Sequence, residues 1–437
     1  MSAYTVSSGQ TSTGIVLNYD SMYVYYSGTA NNTTVNSGGW LFVSSGGMAD
    51  NTIVNIHGVL NVSSGGTANS NTVNSNGSMY VSSGGTANST TINSDGNLRI
   101  SYGGITNDAT VNSGGRMYIS SGGTATNIVA SSGAILDLTV APDTWIQGTC
   151  NGSAFEVKDA YASGCTVNSG CSMVVSSGGT ANSTTVKSGG NLHLENGATA
   201  NHTVFSGGDF LISEENRTWN DITLKNDAKL TIRDGGKVNA TTISKGSMTV
   251  SNGGTATDTT VVNGTLNVEG GVVNIATISS GGKLALFSGG TANSVTIKKD
   301  AYFGVLADET ADYATISSGG SMDVVNAAVV NETTVKGGSM TVWGVANKTT
   351  VQTEGVLVAN GTVNNTTVNE GGALIVSAFG NASKTTVNEG ELHVSSKGIA
   401  DSTTVNSGGR LIISEGALAA NTMVNEGGNL FVSANTL

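Results

Sequence analysis

The sequence predicts an all-β fold, a β-solenoid in which about 22 coils of about 19 residues stack into a single elongated rod. The first observation is a repeat: Thr-Thr-Val-Asn-Ser-Gly-Gly, a short apolar stretch and Ser-Ser-Gly-Gly-Thr-Ala-Asn return along nearly the whole chain. The second is that apolar and polar residues alternate within each repeat, as they do in strands with one buried face. The third is composition, since 62 glycines, one proline and 11% charged residues suit folded strands joined by tight corners.

One repeat shows how a coil can close. Residues 74–77 (Asn-Ser-Asn-Gly) favour a corner, because Asn and Gly tolerate the left-handed backbone that a sharp turn needs. In the stretch that follows, Met79 and Val81 face one side and Tyr80 faces the other. A second Gly-rich corner leads into a second strand, in which Ile92 faces inward. We therefore expect two short strands and two corners in each coil.

A coil of this size is not stable alone. Its buried apolar side chains, about four in number, contribute roughly 1.5–3 kcal/mol each. Ordering its residues costs about 1–2 kcal/mol for each one, which is more in total. Stacking at about 4.8 Å lets every strand pair with the coils above and below it, so that all coils share one core. We therefore expect residues 1–437 to form a single β-solenoid domain.

Three segments depart from the repeat. Residues 130–165, which contain the only proline, predict a protruding loop or a distorted coil. Residues 206–236 are rich in charged side chains, and residues 298–313 also interrupt the pattern with a run of charges. Insertions in solenoids often carry binding sites, whereas a drifted repeat with solvated charges carries none. Both interpretations apply to these irregular segments.

Threonine dominates the position just before the inward anchor residue (Val, Ile or Leu) of each repeat. Alternate residues of a strand point to opposite faces, so this position is expected to face outward. The hydroxyls either stack between coils as part of a good strand former, or form a ladder offered to a partner or to a modifying enzyme. The candidate ladder for self-association or O-glycosylation consists of Thr166, Thr185, Thr203, Thr223, Thr242, Thr260, Thr277, Thr296, Thr315, Thr334, Thr350, Thr367, Thr386 and Thr404.

The other strand of each coil also has an outward column, and several of its positions are apolar. Single exposed apolar residues are ordinary, but a row of them along a solenoid could form an adhesive stripe. The apolar members of this column are Phe42, Tyr80, Tyr118, Leu211, Ile375, Ile412 and Phe431.

Three cysteines, Cys150, Cys165 and Cys171, lie in the least regular part of the chain. Cys165 occupies the first Thr position of a repeat and Cys171 the second Gly position of the next corner, so the two flank one corner. A disulfide that joins Cys165 to Cys171 or to Cys150 is a hypothesis, and it leaves one free thiol. Zinc is not expected, since no Cys-x-x-Cys pair or nearby histidine completes a set of ligands.

Charge and motif content argue against several functions. The net charge is −12 with no basic patch, which disfavours nucleic acid and anionic membranes as partners. The four histidines are scattered, and neither a nucleophile–His–acid set nor a phosphate-binding loop is present in the sequence. The acidic residues do not stack as they do in β-helix enzymes that cleave acidic polysaccharides. We therefore predict that the chain is not an enzyme and needs no cofactor or metal.

Residues 83–96 (Ser-Gly-Gly-Thr-Ala-Asn-Ser-Thr-Thr-Ile-Asn-Ser-Asp-Gly) and the matching residues 177–190 resemble the repeats of the AIDA-type adhesins. Those are self-associating autotransporters of Gram-negative bacteria. The resemblance implies a right-handed parallel β-helix passenger that is displayed on the cell surface and acts in adhesion, autoaggregation and biofilm formation. Some members carry heptose on Ser and Thr, added by a dedicated glycosyltransferase, and the Thr column would be an acceptor set.

Two features of that family, a secretory signal peptide and a C-terminal outer-membrane barrel, are not recognised in this sequence. We therefore expect a passenger segment of a longer protein, or a solenoid whose open end pairs with another copy. The expected location is extracellular, on the surface of a Gram-negative bacterium. The expected partners are other copies of the chain or a host-surface glycan or protein. Two alternatives are a structural stalk without its own ligand and, more remotely, a polysaccharide-binding or polysaccharide-cleaving β-helix.

Overall fold

The computed structural model describes residues 2–433, and every regular element in this range is a β-strand. The strands make about 23 turns of about 19 residues, and the stacking is parallel, which confirms the predicted fold class. Among the described residues, no helix is long and apolar enough to cross a membrane. The chain divides into two compact units: residues up to Ser206 with Asn216–Trp219 form one, and Gly207–Glu215 with the residues from Asn220 onward form the other. That residues 1–437 act as one domain stays a prediction.

The first unit has a front sheet with one strand per coil, joined in parallel to the strands one coil above and below. In its register Leu60, Met79 and Leu98 are neighbours, so one inward column runs through successive coils. The ten strands of this front sheet are Ala3–Val6, Ser21–Val24, Trp40–Val43, Val59–Val62, Ser78–Val81, Asn97–Ile100, Arg116–Ile119, Ile135–Val140, Ser172–Val175 and Asn191–Leu194.

The rear of each coil usually carries two short strands, which corrects the expected two strands per coil to three. In one coil the strands Thr86–Asn88 and Thr91–Ile92 are separated by residues 89–90, and the positive φ of 53° at Ser89 bends the chain between them. The rear strands of the first unit are Thr11–Thr13, Val16–Leu17, Thr29–Asn31, Thr34–Val35, Met48–Asp50, Ile53–Val54, Thr67–Asn69, Thr72–Val73, Thr86–Asn88, Thr91–Ile92, Ile105–Asn107, Thr110–Val111, Thr124–Ala130, Trp145–Cys150, Ser153–Lys158, Tyr161–Ser163, Thr166–Val167, Thr180–Asn182, Thr185–Lys187, Thr199–Asn201 and Val204–Ser206.

The second unit repeats this plan. Its front sheet contains Asp209–Ser213, Lys229–Arg233, Ser247–Ser251, Thr265–Glu269, Lys283–Phe287, Tyr302–Val305, Ser321–Val324, Ser339–Val342, Val356–Ala359, Ala373–Val376, Glu391–Val394, Arg410–Ile413 and Asn429–Val432. Its rear strands are Thr223–Lys225, Lys237–Ser244, Thr255–Val262, Val272–Ser279, Thr291–Ile297, Thr310–Asp312, Thr315–Ile316, Val329–Asn331, Thr334–Lys336, Val345–Asn347, Thr350–Gln352, Thr362–Asn364, Thr367–Val368, Asn381–Ser383, Thr386–Val387, Ile399–Asp401, Thr404–Val405, Leu418–Ala420 and Met423–Val424. One further strand is Thr218–Asn220.

The core lies between the front and rear strands of each coil. In a typical coil Met79, Val81, Ala87 and Ile92 are fully buried, which agrees with the expected four inward apolar residues. Alanine recurs at the Ala87 position in many coils, and Thr106, Val273 and Val330 occupy the same buried position in others.

The two glycines of a Ser-Ser-Gly-Gly corner have different roles. Gly46 has a φ of +77°, a left-handed conformation that favours glycine, and a side chain there would meet nothing within 4 Å. Gly47 has no such φ, but a Cβ on it would collide with the carbonyl group of Val24 in the preceding coil. The first glycine therefore allows the corner to turn, and the second allows the coils to approach.

Asparagine side chains form ladders along the corners that follow the inward anchor residues. Each Nδ2 donates a hydrogen bond of 2.8–2.9 Å to the Oδ1 of the asparagine one coil earlier. The members in the first unit are Asn18, Asn36, Asn55, Asn74, Asn93 and Asn112. Because each amide both donates and accepts, the ladder satisfies partly buried polar groups and opposes a slip in register.

The irregular segment 130–165 is an inserted antiparallel hairpin. Strand Trp145–Cys150 continues the parallel rear stack, and Ser153–Lys158 then runs back along it in the antiparallel direction. Tyr161–Ser163 pairs antiparallel with Ser153–Lys158 and restarts the parallel stack. On the front sheet, Ile135–Val140 pairs directly with Ser172–Val175 of the next coil. The inserted rear strands therefore have no counterparts on the front sheet.

The three cysteines surround this insertion, and all three thiols are free and buried, so the expected disulfide of Cys165 with Cys171 or Cys150 is wrong. Each sulfur has its own polar neighbour. The Cys171 thiol donates to the carbonyl oxygen of Ala134 (3.5 Å), the Cys165 thiol donates to the carbonyl oxygen of Ser163 (3.7 Å), and the Cys150 sulfur accepts from the side chain of Asn168 (3.5 Å). Burial raises the pKa of Cys165 to about 12 and also raises the pKa of the other two thiols.

Residues 298–313 form a regular coil, contrary to the expected irregularity. Strands Tyr302–Val305 and Thr310–Asp312 pair in parallel with the coils on both sides. Glu309, at the position of a corner glycine, is buried, and its carboxylate accepts a hydrogen bond of 2.7 Å from the backbone N–H of Gly289. A bond to the neighbouring coil thus lets a charged side chain replace glycine without breaking the stack.

We expect the two corner glycines to differ sharply in their tolerance of substitution. Gly47→Ala should destabilise its coil by about 1–3 kcal/mol, since the new Cβ pushes the Val24 carbonyl group out of its ladder bond. Gly46→Asn should cost less than about 1 kcal/mol, because Asn tolerates the left-handed conformation and the space is open. Hydrogen exchange of the amides in strand Trp40–Val43 measures both. Equal loss of protection in the two variants would contradict this assignment.

The cysteine assignment predicts slow thiol alkylation in the folded state. Thiolate is the reactive form, and the raised pKa values keep all three thiols protonated at pH 8. Iodoacetamide should therefore leave the native chain unmodified and add three groups once the chain is denatured without reductant, as mass spectrometry would show. A single reactive thiol in the denatured, unreduced chain would instead reveal a disulfide.

Candidate adhesive surfaces

The predicted Thr column forms an unbroken ladder in the second unit. Eleven successive coils carry threonine at one position, and each of these residues is paired in register with the next. The side chains are half-exposed, between neighbours that are buried. The Thr ladder consists of Thr223, Thr242, Thr260, Thr277, Thr296, Thr315, Thr334, Thr350, Thr367, Thr386 and Thr404.

The first unit holds only part of the predicted column. Thr166 and Thr185 are half-exposed and paired with each other. Thr203 is fully buried, so its predicted outward position is wrong. The register pairs Thr185 with Val204, and the inward anchor of that coil is Phe205. A one-residue slip turns each side chain to the opposite face, which explains the error.

A second column of threonines faces inward, one residue before the ladder, and sequence analysis missed it. These hydroxyls are fully buried, and among the described residues they have no hydrogen-bond partner. The signal for it in the sequence is the Thr-Thr doublet, whose first residue lies on the opposite face from the second. In the second unit the column contains Thr241, Thr259, Thr333, Thr349, Thr366, Thr385 and Thr403.

The residue that follows each inward anchor borders the Thr ladder. Asparagines at this position continue the side-chain amide ladders, for example from Asn369 through Asn388 to Asn406 with bonds of 3.1 and 2.6 Å. Lysines occupy this position in three coils of the second unit, Lys225, Lys298 and Lys336, and all three are exposed. The Thr ladder therefore lies beside a column of mainly neutral polar residues (Ser, Asn and Gln) with isolated positive charges.

In the first unit the predicted apolar stripe on the front sheet is divided into separate groups, whereas in the second unit Ile375, Ile412 and Phe431 lie in one column that only His393 interrupts. Tyr23 and Phe42 stack with ring centroids 4.9 Å apart, and Trp40 stacks on Phe42 at 5.8 Å. Further along, the Arg99 guanidinium lies 4.8 Å from the ring centroid of Tyr118. Polar and charged residues between these groups mean that the aromatic residues form local clusters instead of a continuous stripe.

Two further charged residues, Arg116 and Asp137, lie beside the Arg99–Tyr118 contact. A hydrogen bond to Tyr118 raises the pKa of Arg116, so this guanidinium stays charged. Partial burial raises the pKa of Asp137. The backbone N–H of Ser172 donates a hydrogen bond of 2.8 Å to the Asp137 carboxylate, which partly opposes this rise. This cluster thus carries charges of both signs at the surface of the first unit.

The segment predicted to be irregular around 206–236 contributes to a cleft in the second unit. The cleft has a volume of about 600 Å³ and lies on the front sheet across four strands, from Asp209–Ser213 to Thr265–Glu269. Charged residues at its rim form two ion pairs, Lys229–Asp209 at 3.8 Å and Arg233–Asp234 at 3.3 Å. The sequence indicated the charge here, but only the fold shows a concave surface.

The family model described as "Adhesin of bacterial autotransporter system, probable stalk" matches residues 17–77, 42–96, 147–209, 357–409 and 396–436, which together cover just over half of the chain. No curated protein sequence matches the chain.

The solved structures that are similar to this chain include three with TM-scores of 0.27 or below. A TibC-catalysed hyper-glycosylated TibA fragment is 27% identical, with 100% of this chain and 98% of that chain covered and a TM-score of 0.27. An alginate lyase from Paenibacillus sp. is 13% identical, with 73% and 92% covered and a TM-score of 0.15. The Streptococcus pneumoniae surface adhesin PfbA is 10% identical, with 82% and 91% covered and a TM-score of 0.16.

The family match confirms the resemblance seen in the repeats. The matched ranges include residues 83–96 and 177–190, the two repeats that resemble this family in sequence. The chain therefore belongs to the AIDA family, the adhesins of the bacterial autotransporter system and their probable stalk.

Proposed function

We propose that this chain is the surface-displayed passenger of a Gram-negative adhesin and binds other copies of itself along its Thr ladder. Family membership supports an adhesin-type protein at the bacterial surface. The proposal of self-association rests on the Thr ladder, in which the same partly exposed side chain recurs in eleven paired coils.

A surface that repeats along the chain can match a second copy of itself, because both copies have the same spacing. Strands in a sheet lie about 4.8 Å apart, so the ladder presents a hydroxyl and a methyl group at each such step. A second copy has the same spacing, and every rung can meet a rung of the partner. Each contact is weak, but linked contacts raise the overall affinity roughly 10²–10⁴-fold over one contact. Many such rungs would hold two cells together without a single strong site.

O-glycosylation of the same surface is part of this proposal. The TibA fragment is described as hyper-glycosylated by TibC. In this chain the ladder threonines are partly exposed and the preceding threonines are buried, so within each Thr-Thr doublet a glycosyltransferase could reach only the second residue. Intact mass and peptide mapping after coexpression with such an enzyme would locate the sugars. Sugar on Thr241 or Thr259, which are buried, would contradict this restriction.

A structural stalk without its own ligand is a second candidate, favoured by the family description "probable stalk". A stalk needs only a stable stack of coils, so its outward residues could change freely. Substitution of the Thr ladder therefore separates the two functions.

Replacement of ladder threonines by lysine should abolish settling of bacteria that display this chain. Like charges then face each other wherever two ladders meet, and repulsion replaces contact. The five positions to change together are Thr242, Thr260, Thr277, Thr334 and Thr350. Settling is measured by turbidity in a host without the glycosyltransferase, so that sugar loss plays no part.

The matched control places five lysines on the front sheet of the same coils. These positions also point outward, so charge and strand strain are equivalent: Thr249, Asn267, Ala285, Thr341 and Val358. The control should settle like the parent chain. Unchanged settling of the ladder variant, with both variants folded by circular dichroism, would rule out this face and leave the stalk.

A further inference from the structure

We infer that the cleft in the second unit is a binding site for a neutral oligosaccharide. This goes beyond the proposed self-association, because the cleft lies on the front sheet and the Thr ladder lies on the rear. The site belongs to one copy of the chain and needs no second copy.

The cleft arises from the size of outward side chains on neighbouring strands. In one outward column Leu211 is followed by Thr231, Thr249 and Asn267, so a large side chain stands beside smaller polar ones. In the next column Arg233 and Glu269 stand on either side of the small Ser251. Small residues between large ones leave a concave surface, and its volume of about 600 Å³ is in the range of ligand-binding pockets.

The lining offers both kinds of hydrogen-bonding group. The carboxylates of Asp234 and Glu269 can accept, the Arg233 guanidinium can only donate, and the Ser251 hydroxyl and Asn252 amide can do both. A sugar ring displays hydroxyl groups, each of which both donates and accepts. A lining that mixes donors and acceptors over one short surface therefore matches a polyhydroxylated ligand.

Charge in the cleft selects against acidic sugars. Asp209 is paired with Lys229, and Asp234 with Arg233. Glu269 has no ion-pair partner within residues 2–433, so the carboxylates outnumber the cations by one. A uronate or sialylated polymer would add negative charge beside an unpaired carboxylate. A neutral saccharide avoids this repulsion.

Apolar surface completes the match, and the sheet disfavours a peptide. Leu211 is 52% exposed beside the polar groups, and it can cover the C–H face of a sugar ring. The strands Lys229–Arg233 and Ser247–Ser251 that form the floor are paired along both edges. An extended peptide that binds by adding a strand would need a free edge, which these strands do not offer.

The test uses the purified chain at a concentration at which it is monomeric, with calorimetry against four named hexasaccharides. Cellohexaose, maltohexaose and hexa-N-acetylchitohexaose are the neutral probes, and hexagalacturonate is the acidic one. We expect at least one neutral probe to bind, with an affinity that is little affected by salt. Binding of none of the neutral probes, or tighter binding of hexagalacturonate, would overturn the inference.

Two matched variants locate the site. Thr231→Trp fills the cleft and should lower the affinity at least about tenfold. Thr341→Trp places the same side chain in the same outward column, away from the cleft, and should leave the affinity within about twofold. Equal affinity in the two variants would place the sugar elsewhere and overturn the assignment.

The five-lysine variant of the Thr ladder separates this inference from the proposed function. It should lose settling and retain oligosaccharide binding, since the two surfaces lie on opposite sheets. Loss of both properties in a folded variant would mean that the sugar binds the rear sheet, which would overturn the cleft assignment.

Discussion

The close approach of one coil to the next is the constraint on which the rest of this structure depends. Backbone groups of neighbouring coils pair along both sheets, and the second glycine of each corner lies against a carbonyl group of the preceding coil. A Cβ added at a glycine such as Gly47 would collide with the carbonyl group of Val24 unless the two coils shifted locally. The asparagine ladders, with bonds near 2.8 Å, form only because this approach is uniform. The repeat in the sequence is thus a repeat of a steric requirement.

Uniform stacking also determines what kind of surface the protein can offer. A residue at one position of the repeat appears once per coil. A side chain that binds only weakly is therefore repeated as a long row along the sheet. The Thr ladder is such a row, and its neutral hydroxyls and methyl groups suit contact between identical copies in a chain that has few charges. A single specific site needs the opposite, a local break in the pattern. The cleft bordered by Leu211, Arg233 and Glu269 arises where large and small outward residues stand side by side.

Breaks in the repeat have different outcomes, and their reasons are local. The hairpin after Trp145–Cys150 reverses the chain and returns it to the parallel stack, so an insertion is absorbed as an extra strand. Glu309 replaces a corner glycine and is held by a hydrogen bond to the neighbouring coil, so the coil remains regular. The three cysteines fill inward positions beside the hairpin, where each has its own neighbour. Departure from the consensus alone therefore does not identify a functional segment.

The sequence by itself determined the fold class, the length of a coil, the family resemblance and most of the Thr ladder, because the period and the alternation of apolar residues reflect contacts within one coil and its neighbour. Only the tertiary structure decided which face a residue takes where the repeat slips, as at Thr203, since a shift of one residue reverses every side chain. It also decided the third strand that most coils have, because the positive φ at residues such as Ser89 is compatible with either a loop or a bend between strands. The free cysteines and the cleft could not be predicted for the same reason: both depend on distances between coils, which residue spacing does not specify.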